Sequence, residues 1–352
     1  MALSKHEALH ILDSANSGVD EALKAAVLKG ATGESEKMYK MLAYFMGFYD
    51  EALREVAEPK GGKRFRPGLC LYLSQIYGVR EKAFDAAVAI ELFHNFTLVH
   101  DDVEDRDEMR RNRPTVWKLW GINHAINAGD MQSLIVADAC LSIAKEGNVG
   151  AAIATAILSS AREVIEGQYM DFELADAPID SGYVTEERCL LMTSKKTGAL
   201  VRLACDVAGL AAGVPEDELK ALRTYGESLG LAFQIADDYR SVWSTHIETG
   251  KDTRSDVREH KRTLPFIVAL DRLEGTSRSR LAELYSVNRQ LTSIEIDEAC
   301  TLINSTHARE YVLEQLKKYA ENARHAAESL RVSEEHRSFL VALIGALAPE
   351  SI

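Results

Sequence analysis

Apolar residues recur along most of this chain with the spacing of one face of an α-helix. Met38, Met41, Leu42 and Phe45 follow the i, i+3, i+4, i+7 pattern of a buried helical stripe. The same pattern returns in further segments, at 19–26, 86–93, 136–143, 200–207 and 316–323. Alternating β-branched runs, which are typical of strands, are nearly absent. The sequence therefore predicts an all-α fold, a bundle of roughly ten or more helices.

The breaks between these helices fall at short segments that contain Gly or Pro, and none is long enough to act as a linker between domains. The chain has 352 residues and only seven prolines, and no stretch is rich in Ser, Gly and Pro. We therefore predict a single domain over 1–352, in which residues 1–30 form a peripheral N-terminal helical segment.

Charge and cysteine usage narrow the class of protein. The net charge of −13 opposes non-specific binding to nucleic acid, which needs a basic face. The five cysteines are scattered and form no Cys-x-x-Cys pair, as expected for reduced residues of a cytoplasmic protein. We predict neither a signal peptide nor a transmembrane segment, because no basic start precedes an apolar core and no apolar run is long enough to span a bilayer.

Two aspartate-rich segments carry the strongest chemical signal: residues 100–105 read HDDVED, and residues 234–238 read QIADD. On a helix, Asp101 and Asp105 share a face, whereas Asp102 turns away by about 100°. Carboxylate oxygens bind Mg²⁺, which proteins usually share between a few carboxylates and a substrate phosphate. Two such clusters facing each other across a bundle would hold a diphosphate between them. Each cluster alone also fits a charged helix end exposed to water.

Basic residues accompany both acidic segments. Arg110 and Arg111 follow the first within two helical turns, and arginine matches phosphate oxygens in a bidentate manner. The loop 61–67, GGKRFRP, combines two glycines, whose backbone N–H groups can approach an anion, with the charges of Lys63 and Arg66. Further lysines near the second half of the pattern are Lys196, Lys251 and Lys261. Taken singly, each lysine also fits an ordinary surface residue.

In their order along the chain, these segments resemble the trans-isoprenyl diphosphate synthases, also called polyprenyl synthetases. The resemblance runs from about Gly61 to Pro265, and each marker is weak alone whereas the ordered set is specific. The markers are the loop 61–67, His94, HDDxxD at 100–105, Arg110-Arg111 with Pro114-Thr115, Ala128-Gly129-Asp130, Gly167-Gln168 with Asp171, Lys196-Thr197, Phe233-Gln234 with Asp237-Asp238, and Lys251 with 261–265. The resemblance implies the isoprenoid synthase fold, an all-α bundle around a central cavity.

The resemblance also implies a role for each matching residue. Three carboxylates would bind Mg²⁺, with three ions in the substrate complex: Asp101, Asp105 and Asp237. The groups around an allylic diphosphate would be Arg110, Lys196, Thr197, Gln234, Lys251 and Lys261. The isopentenyl diphosphate site would comprise Gly62, through its backbone, with Lys63, Arg66, His94 and Arg111. The catalytic set among these would be Asp101, Asp105, Arg110, Lys196, Asp237 and Lys251.

The implied reaction is prenyl transfer from a dimethylallyl, geranyl or farnesyl diphosphate primer to isopentenyl diphosphate. In the family, product length depends on the positions four and five before the first Asp, here Thr97 and Phe96. One aromatic residue beside a small one predicts geranylgeranyl diphosphate, with farnesyl diphosphate as second choice. On an ideal helix Thr97 lies within about 40° of Asp101 and Phe96 about 140° away. Helix geometry alone therefore favours Thr97 as the residue that limits product length, and Phe96 is a candidate only through the resemblance.

The chain departs from the family's pattern at four positions. Ser241 stands where the second motif usually ends in Asp, which leaves one ligand contact to water or to Asp238. Three other positions usually hold Gly: Asn112 follows the arginine pair, and Arg254 and His260 stand near the later lysines. Two of these departures, Arg254 and His260, fall within the predicted site around residues 251–261.

Two other functions remain open at this point. A class I terpene cyclase shares the helical bundle and an Asp-rich motif. Its second motif usually ends in Glu, where this chain has Thr245, and it has no use for a second diphosphate site at Lys63 and Arg66. An inactive partner subunit of a prenyl synthase is the other alternative, and such subunits tend to lose the first motif, which is intact here. The family is commonly dimeric, which implies a homodimer.

Overall fold

The computed structural model of the protein describes residues 3–244 and 254–347 and confirms the all-α prediction. The helices of the first half are α1 (Lys5–Ala15), α2 (Val19–Leu28), α3 (Glu36–Phe45), α4 (Phe65–Ile76), α5 (Arg80–Glu104), α6 (Val116–Trp120), α7 (Ile122–Ala144) and α8 (Asn148–Asp176). Those of the second half are α9 (Glu186–Thr193), α10 (Ala199–Ala212), α11 (Glu216–Trp243), α12 (Ser255–Arg258), α13 (Leu264–Arg272), α14 (Gly275–Leu284), α15 (Ser293–Asn304), α16 (Ala308–Ser329) and α17 (Glu334–Leu347). None of the helices described has both the length and the apolar character needed to cross a membrane.

Three short elements interrupt the series of helices. Residues Gly33–Ser35 form a 3₁₀ turn, and Ser194–Gly198 form one turn of π-helix between α9 and α10. A two-stranded antiparallel ribbon consists of β1 (Met109–Arg110) and β2 (Arg113–Pro114) and follows α5 directly. Both the π-helical turn and the ribbon fall at predicted site residues, where local departures from regular helix are frequent.

Close backbone contacts divide the chain into two compact units, each assembled from segments that are discontinuous in sequence. The first unit contains His6–Ala161 and Leu203–Lys220. The second unit contains Met1–Lys5, Arg162–Arg202 and Ala221–Ile352. The first aspartate motif belongs to the first unit and the second motif to the second unit, and the single domain over 1–352 stays a prediction.

The core of the first unit is built around α5, which packs against α7 and α4. Small residues on α5, such as Ala83, Ala87 and Ala89, are fully buried and let neighbouring helices approach closely. The predicted N-terminal segment contributes to this unit, because α2 packs against α3 and α5 and buries Val19 and Leu23 completely. Helix α5 is thus held on several sides along its length, which fixes the end that carries the first aspartate motif.

The core of the second unit surrounds α13, which packs against α9, α15 and α16. Every residue from Leu264 to Leu270 is buried, so this helix is apolar on all sides. Phe266 stacks on Tyr285, with ring centroids 3.9 Å apart and planes 15° from parallel. The central position of α13 gives the end of α11 and the helix α12, which carry the second motif and its neighbours, a rigid surface to rest on.

Candidate active site

Arg64 anchors the basic loop 61–67 by pointing into the first unit. Its guanidinium donates to Glu91 Oε1 at 2.8 Å, to Asp20 Oδ1 at 2.9 Å and to the carbonyl of Met46 at 3.0 Å. Burial opposes the charge, but the two carboxylates outweigh burial and raise the pKa of Arg64 above its usual value. Arg64 is therefore a structural cation. Of the basic residues in the loop, Lys63 and Arg66 are the ones that could bind a ligand.

The other two basic residues of the loop have different surroundings, since Lys63 is exposed and Arg66 is half-buried. Arg66 Nε is shielded from solvent and has no hydrogen-bond partner among the described residues. Arg111 approaches this loop so closely that a Cβ on Gly62 would lie 2.9 Å from Arg111 Nη2. Glycine at position 62 thus leaves room for a guanidinium beside the loop backbone.

His94 on α5 lies in the electrostatic field of these arginines. Burial and the charges of Arg66 and Arg111 hold the pKa of His94 well below its usual range, so the imidazole is neutral at pH 7. Burial also lowers the pKa of Arg111 to about 10, which leaves the side chain charged at pH 7. Arg111 Nη1 is buried without a hydrogen-bond partner among the described residues. Buried donors without acceptors are costly, and this group is therefore suited to bind an anion.

The β1–β2 ribbon places Arg111 beside the loop. Arg110 pairs with Arg113 across the ribbon, and the two residues between them, Arg111 and Asn112, have φ of 52° and 60°. Positive φ at both central residues is the pattern of a type I′ turn, where Asn is favoured beside Gly. Asn112 therefore adopts a backbone conformation that Gly also adopts readily. The guanidinium of Arg113 lies 4.0 Å from the centroid of the Tyr44 ring and fastens the ribbon to the unit.

The first aspartate motif divides into two accessible carboxylates and one buried carboxylate. Asp101 is half-buried and Asp105 is exposed, and the N–H of Asp105 donates to the carbonyl of Asp101 at 2.8 Å, one turn earlier. Asp102 turns inward, as its helical position predicts, and its Oδ1 accepts from Arg110 Nε. Burial raises the pKa of Asp102 to about 6, and Arg110 opposes this shift. Asp102 thus orients Arg110, while the other two carboxylates remain accessible.

The two predicted chain-length residues lie on different sides of α5. Phe96 packs between Phe93 and His100, with ring centroids 5.7 Å and 5.1 Å away. His100 in turn lies against Gly129 of α7, where an added Cβ would fall 2.2 Å from the imidazole Nε2. Thr97 Oγ1 donates to a carbonyl of its own helix at 2.9 Å. Phe96 therefore lies on the side of α5 that faces α7, and Thr97 shares a side with the first motif.

In the second unit, the π-helical turn brings Lys196 against α8. Lys196 Nζ donates to Asp171 Oδ2 at 2.7 Å. A Cβ on Gly167 would lie 2.4 Å from the backbone N of Lys196 and 2.8 Å from its Cα. Only glycine allows this approach of two backbones. Gly167 and Asp171 on α8 therefore both contact Lys196, and these three residues form one cluster. Sequence reasoning found these markers separately and did not predict that they meet.

A hydrogen-bonded series connects the π-helical turn to the second aspartate motif. Thr197 Oγ1 donates to Gln234 Oε1 at 3.0 Å, and Gln234 Nε2 donates to Asp238 Oδ1 at 3.0 Å. Asp238 also accepts from the backbone N–H of Leu264, the first residue of α13. It is only 4% exposed, and burial together with the nearby Asp256 raises the pKa of Asp238 to about 8. Asp238 therefore holds α11 against the start of α13.

The remaining residues at the end of α11 are accessible. Asp237 is exposed, and Ser241, one turn later, is half-buried. Ser241 Oγ lies 2.6 Å from Asp256 Oδ2 on α12 and 2.8 Å from the carbonyl of Asp238. Burial raises the pKa of Asp256, while Ser241 and the charge of Lys261 oppose this shift. Sequence reasoning did not predict that Asp256 meets Ser241, because 15 residues separate the two along the chain.

Of the two predicted lysines of this region, the structure describes only Lys261. Lys261 is exposed and pairs with Glu259 Oε2 at 3.1 Å. Lys251 lies outside the described residues, as does Thr245.

The donor set fits Mg²⁺ that is shared with a substrate. Within residues 3–244 and 254–347, no three carboxylate, histidine or cysteine side chains converge on one point. Mg²⁺ typically takes one or two carboxylates and completes its octahedral shell with water and substrate phosphate oxygens. Asp101 and Asp105 in the first unit, and separately Asp237 in the second, offer hard carboxylate oxygens at accessible positions, which suits shared coordination of this kind in each unit.

Comparison with known proteins gives a consistent result. A sequence model of the polyprenyl synthetase family matches residues 48–303. A (2E,6E)-farnesyl diphosphate synthase from Mycobacterium bovis is 41% identical over 237 residues, which cover 65% of this chain and 62% of the relative, less than two thirds of its length. A geranylgeranyl diphosphate synthase from Saccharolobus solfataricus is 33% identical over 287 residues, which cover 80% of this chain and 85% of the relative.

Solved structures extend the similarity to nearly the whole chain. A polyprenyl synthetase from Streptomyces coelicolor superposes with a TM-score of 0.85 and 29% identity, over 97% of this chain and 99% of that chain. A geranylgeranyl pyrophosphate synthetase from Pyrococcus horikoshii superposes with a TM-score of 0.84 and 29% identity, over 98% and 99%. Every predicted site residue that the structure describes lies within the region matched by the family model.

The contact between Gly167 and Lys196 can be tested by adding a single methyl group. We expect Gly167→Ala to destabilise the protein by about 1–3 kcal/mol, because the new Cβ meets backbone atoms that cannot move aside. The control is Gly345→Ala in α17, where an added Cβ meets nothing within 4 Å. There Ala should stabilise the helix by up to about 1 kcal/mol. Denaturant unfolding monitored by circular dichroism measures both effects, and equal effects would contradict the close contact.

The type I′ turn predicts how position 112 responds to substitution. Asn112→Gly should change the free energy of unfolding by less than about 0.5 kcal/mol, whereas Asn112→Ala should cost about 1–2 kcal/mol at a φ of 60°. Asn123→Ala is the matched control, because Asn123 is exposed at the start of α7 in a helical conformation that Ala favours. Thermal unfolding of the three variants measures the difference, and an Asn112→Ala variant as stable as the control would refute the turn.

Proposed function

Because the chain belongs to the polyprenyl synthetase family, we propose that it is a short-chain prenyl diphosphate synthase that condenses isopentenyl diphosphate with an allylic diphosphate. One observation carries this proposal beyond family membership. Arg66 Nε and Arg111 Nη1 are buried donors without partners among the described residues, beside a neutral His94. This group provides a diphosphate site on the first unit in addition to the carboxylates of its aspartate motif. A synthase with two diphosphate substrates needs this second site, and a terpene cyclase does not.

The residues of the first unit then divide between two substrates. Asp101 and Asp105 bind Mg²⁺, and Arg110, oriented by the buried Asp102, contacts the allylic diphosphate. When held by these carboxylates, Mg²⁺ would supply positive charge to the diphosphate leaving group. The isopentenyl diphosphate is held by the backbone of Gly62 and by the side chains Lys63, Arg66, His94 and Arg111. A neutral His94 donates or accepts a hydrogen bond there without adding to the repulsion among the guanidinium groups.

The residues of the second unit act on the allylic diphosphate. Asp237 contributes a carboxylate to Mg²⁺, and Lys196, Thr197, Gln234, Lys251 and Lys261 contact diphosphate oxygens. Thr197 and Gln234 are already linked by a hydrogen bond, which limits their rotamers before substrate binds. Lys196 is held by Asp171 at 2.7 Å. Positioned charges of this kind stabilise the negative charge that develops on the departing diphosphate.

The reaction proceeds by ionisation, condensation and elimination. The C–O bond of the allylic diphosphate breaks, and the electron pair leaves with the diphosphate. The double bond of isopentenyl diphosphate attacks the allylic cation, so that one C–C bond forms, and a proton is then lost to the released diphosphate. No protein base is required, and the contribution of the chain is to position both diphosphates and to exclude water from the cation.

We propose geranylgeranyl diphosphate as the product, with farnesyl diphosphate as second choice. Relatives bearing both names support a short-chain product without separating the two. Phe96 and Thr97 are the candidate determinants of chain length. Phe96 occupies the α7-facing side of α5 between two aromatic rings, so its removal opens space there.

We further propose a cytoplasmic homodimer. All five cysteines are buried and none forms a disulfide, which fits a reducing compartment. Most apolar residues of segment 83–99 on α5, and Val136, Cys140 and Ile143 on α7, are buried within the first unit. The exposed apolar residues of α7 lie on another side of that helix: Ile126 is 42% exposed, Leu134 60% and Leu141 63%. Such a stripe is suited to contact a second copy of the chain.

The proposed activity is tested by incubating the purified chain with labelled isopentenyl diphosphate, Mg²⁺ and each allylic primer in turn. We expect a discrete elongated product that disappears with EDTA. Asp101→Asn should lower kcat by about 10²–10³-fold, because a carboxylate is lost where charge must be neutralised. Asp85→Asn, an exposed position on the same helix, is the matched control and should leave kcat unchanged. No elongation with any primer would favour the partner-subunit alternative, and release of a cyclic hydrocarbon from farnesyl or geranylgeranyl diphosphate alone would favour the cyclase.

Product length is tested by two opposite substitutions on α5. Phe96→Ala should lengthen the product by at least one isoprene unit, because it removes a ring from the α7-facing side. Thr97→Phe should shorten it if the chain grows along the side of α5 that carries the first motif. Chromatography of the dephosphorylated products measures both. An unchanged spectrum in Phe96→Ala, together with shortening in Thr97→Phe, would assign chain length to Thr97 alone.

A further inference from the structure

The N-terminal segment contacts the basic loop 61–67 through Arg64. Asn16 Nδ2 donates to the carbonyl of Arg64 at 3.1 Å, and Arg64 Nε donates to Asp20 Oδ1 at 2.9 Å. Both contacts lie within the first unit. Residues 1–47 precede the region matched by the family model, so the loop is held by a part of the chain that the family's pattern does not describe.

Arg64 has a backbone conformation that needs support from its neighbours. Its φ is 47° and its ψ is 40°, in the left-handed region that is unfavourable for residues other than Gly. Arg64 is the N-cap residue of α4, and its carbonyl accepts from the N–H of Gly68 at 3.0 Å as well as from Asn16. A carbonyl oxygen has two lone pairs and can accept both bonds. The conformation of Arg64 sets the direction of the chain between Lys63 and Arg66.

The turn between α1 and α2 is itself fixed to the first unit. Arg80 Nη2, at the start of α5, donates to the carbonyl of Ser17 at 2.7 Å. A Cβ on Gly68 would lie 2.9 Å from the carbonyl of Leu12, so the end of α1 lies directly against α4. The two side chains that contact Arg64 project from this turn and from the first turn of α2. They therefore approach the loop from backbone that is held in place.

The two contacts support different parts of Arg64. Its guanidinium is 6% exposed and is shared between Asp20 and Glu91. Removal of Asp20 would take an acceptor from a buried charged donor, which is costly. Removal of Asn16 would take one of the two bonds at the carbonyl of a left-handed residue. In either case the loop would keep its other cations but lose part of the support that fixes their direction.

We propose that Asn16 and Asp20 are positioning residues for the isopentenyl diphosphate site. They act through Arg64, which fixes the loop that presents Lys63 and Arg66. This inference rests on the proposed function. The N-terminal segment, which the sequence predicts to be peripheral, is then part of the support of a substrate site. Because the allylic diphosphate is assigned to other residues, the loss of either contact should act on isopentenyl diphosphate selectively.

The test uses the full chain with Mg²⁺ and measures KM for isopentenyl diphosphate and KM for the allylic primer separately. We expect Asp20→Ala and Asn16→Ala each to raise KM for isopentenyl diphosphate about 5- to 20-fold. KM for the primer, and kcat at saturating isopentenyl diphosphate, should change less than about 2-fold. Asp20→Asn keeps an oxygen acceptor for Arg64 Nε and should therefore recover most of the lost affinity.

Two controls on α2 separate positioning from stability. Glu21→Ala removes a carboxylate from the next residue, which is exposed, and should leave both KM values unchanged. Val27→Ala shortens a fully buried side chain, so it should lower the midpoint of thermal unfolding. Measured well below that midpoint, its KM for isopentenyl diphosphate should equal that of the unaltered chain. A purely structural role for Asp20 predicts instead that KM follows the loss of stability in both variants.

Calorimetric binding of isopentenyl diphosphate distinguishes a failure of this inference from a failure of the proposed function. If the unaltered chain binds isopentenyl diphosphate and elongates a primer while Asp20→Ala and Asn16→Ala keep its KM, the inference is wrong and the proposed function stands. Equal increases in KM for both substrates would also overturn it. If the unaltered chain binds isopentenyl diphosphate without elongation, dissociation constants replace KM in the same comparison. If it neither binds nor elongates, the proposed function fails and this inference fails with it.

Discussion

The buried ion pair between Arg64 and Glu91 is the contact on which the cationic group of the first unit depends. Isolated charges are costly to bury, and Arg64 is tolerated inside because carboxylates and a carbonyl satisfy its donors. With Arg64 satisfied, the loop is fixed and Gly62 can lie against Arg111. Arg66 and Arg111 then keep buried donors without protein acceptors. The unit thus neutralises one arginine completely and leaves two prepared for an anion, which is the preorganisation that electrostatic catalysis requires.

The same division between supporting and accessible groups recurs at both aspartate motifs. Asp102 and Asp238 are each the second Asp of their pair, and each is buried and bonded to a neighbour that we propose contacts the allylic diphosphate: Arg110 in one case, Gln234 in the other. The preceding residues, Asp101 and Asp237, remain accessible. Helical geometry explains the parallel, because consecutive residues point about 100° apart, so that one carboxylate faces inward when the preceding one is accessible to solvent.

Helical periodicity was sufficient to predict the all-α fold, and motif order was sufficient to find most candidate residues. The contacts that join these residues could not be predicted, because they depend on tertiary packing between distant segments. Gly167 and Lys196 meet through their backbones, and Ser241 meets Asp256 across 15 residues. Arg64 also shows the limit of a motif. It lies between two predicted substrate-binding residues of the loop, Lys63 and Arg66, but its own side chain is buried in the first unit. The sequence predicts which residues share a face of a helix. The direction of a side chain in a loop depends on tertiary packing and can only be read from the structure.

The three positions at which the resemblance expects glycine share one backbone feature in this chain. Asn112, Arg254 and His260 all have positive φ, at 60°, 66° and 45°. Non-glycine residues pay about 1 kcal/mol or more in this region, with Asn the least affected. The surrounding contacts must therefore impose the turn, as the β1–β2 ribbon does at Asn112 and the bond from the N–H of Lys261 to Asp256 does at His260. At Asn112 and His260 the positive φ is therefore held without glycine, by hydrogen bonds of the neighbouring backbone.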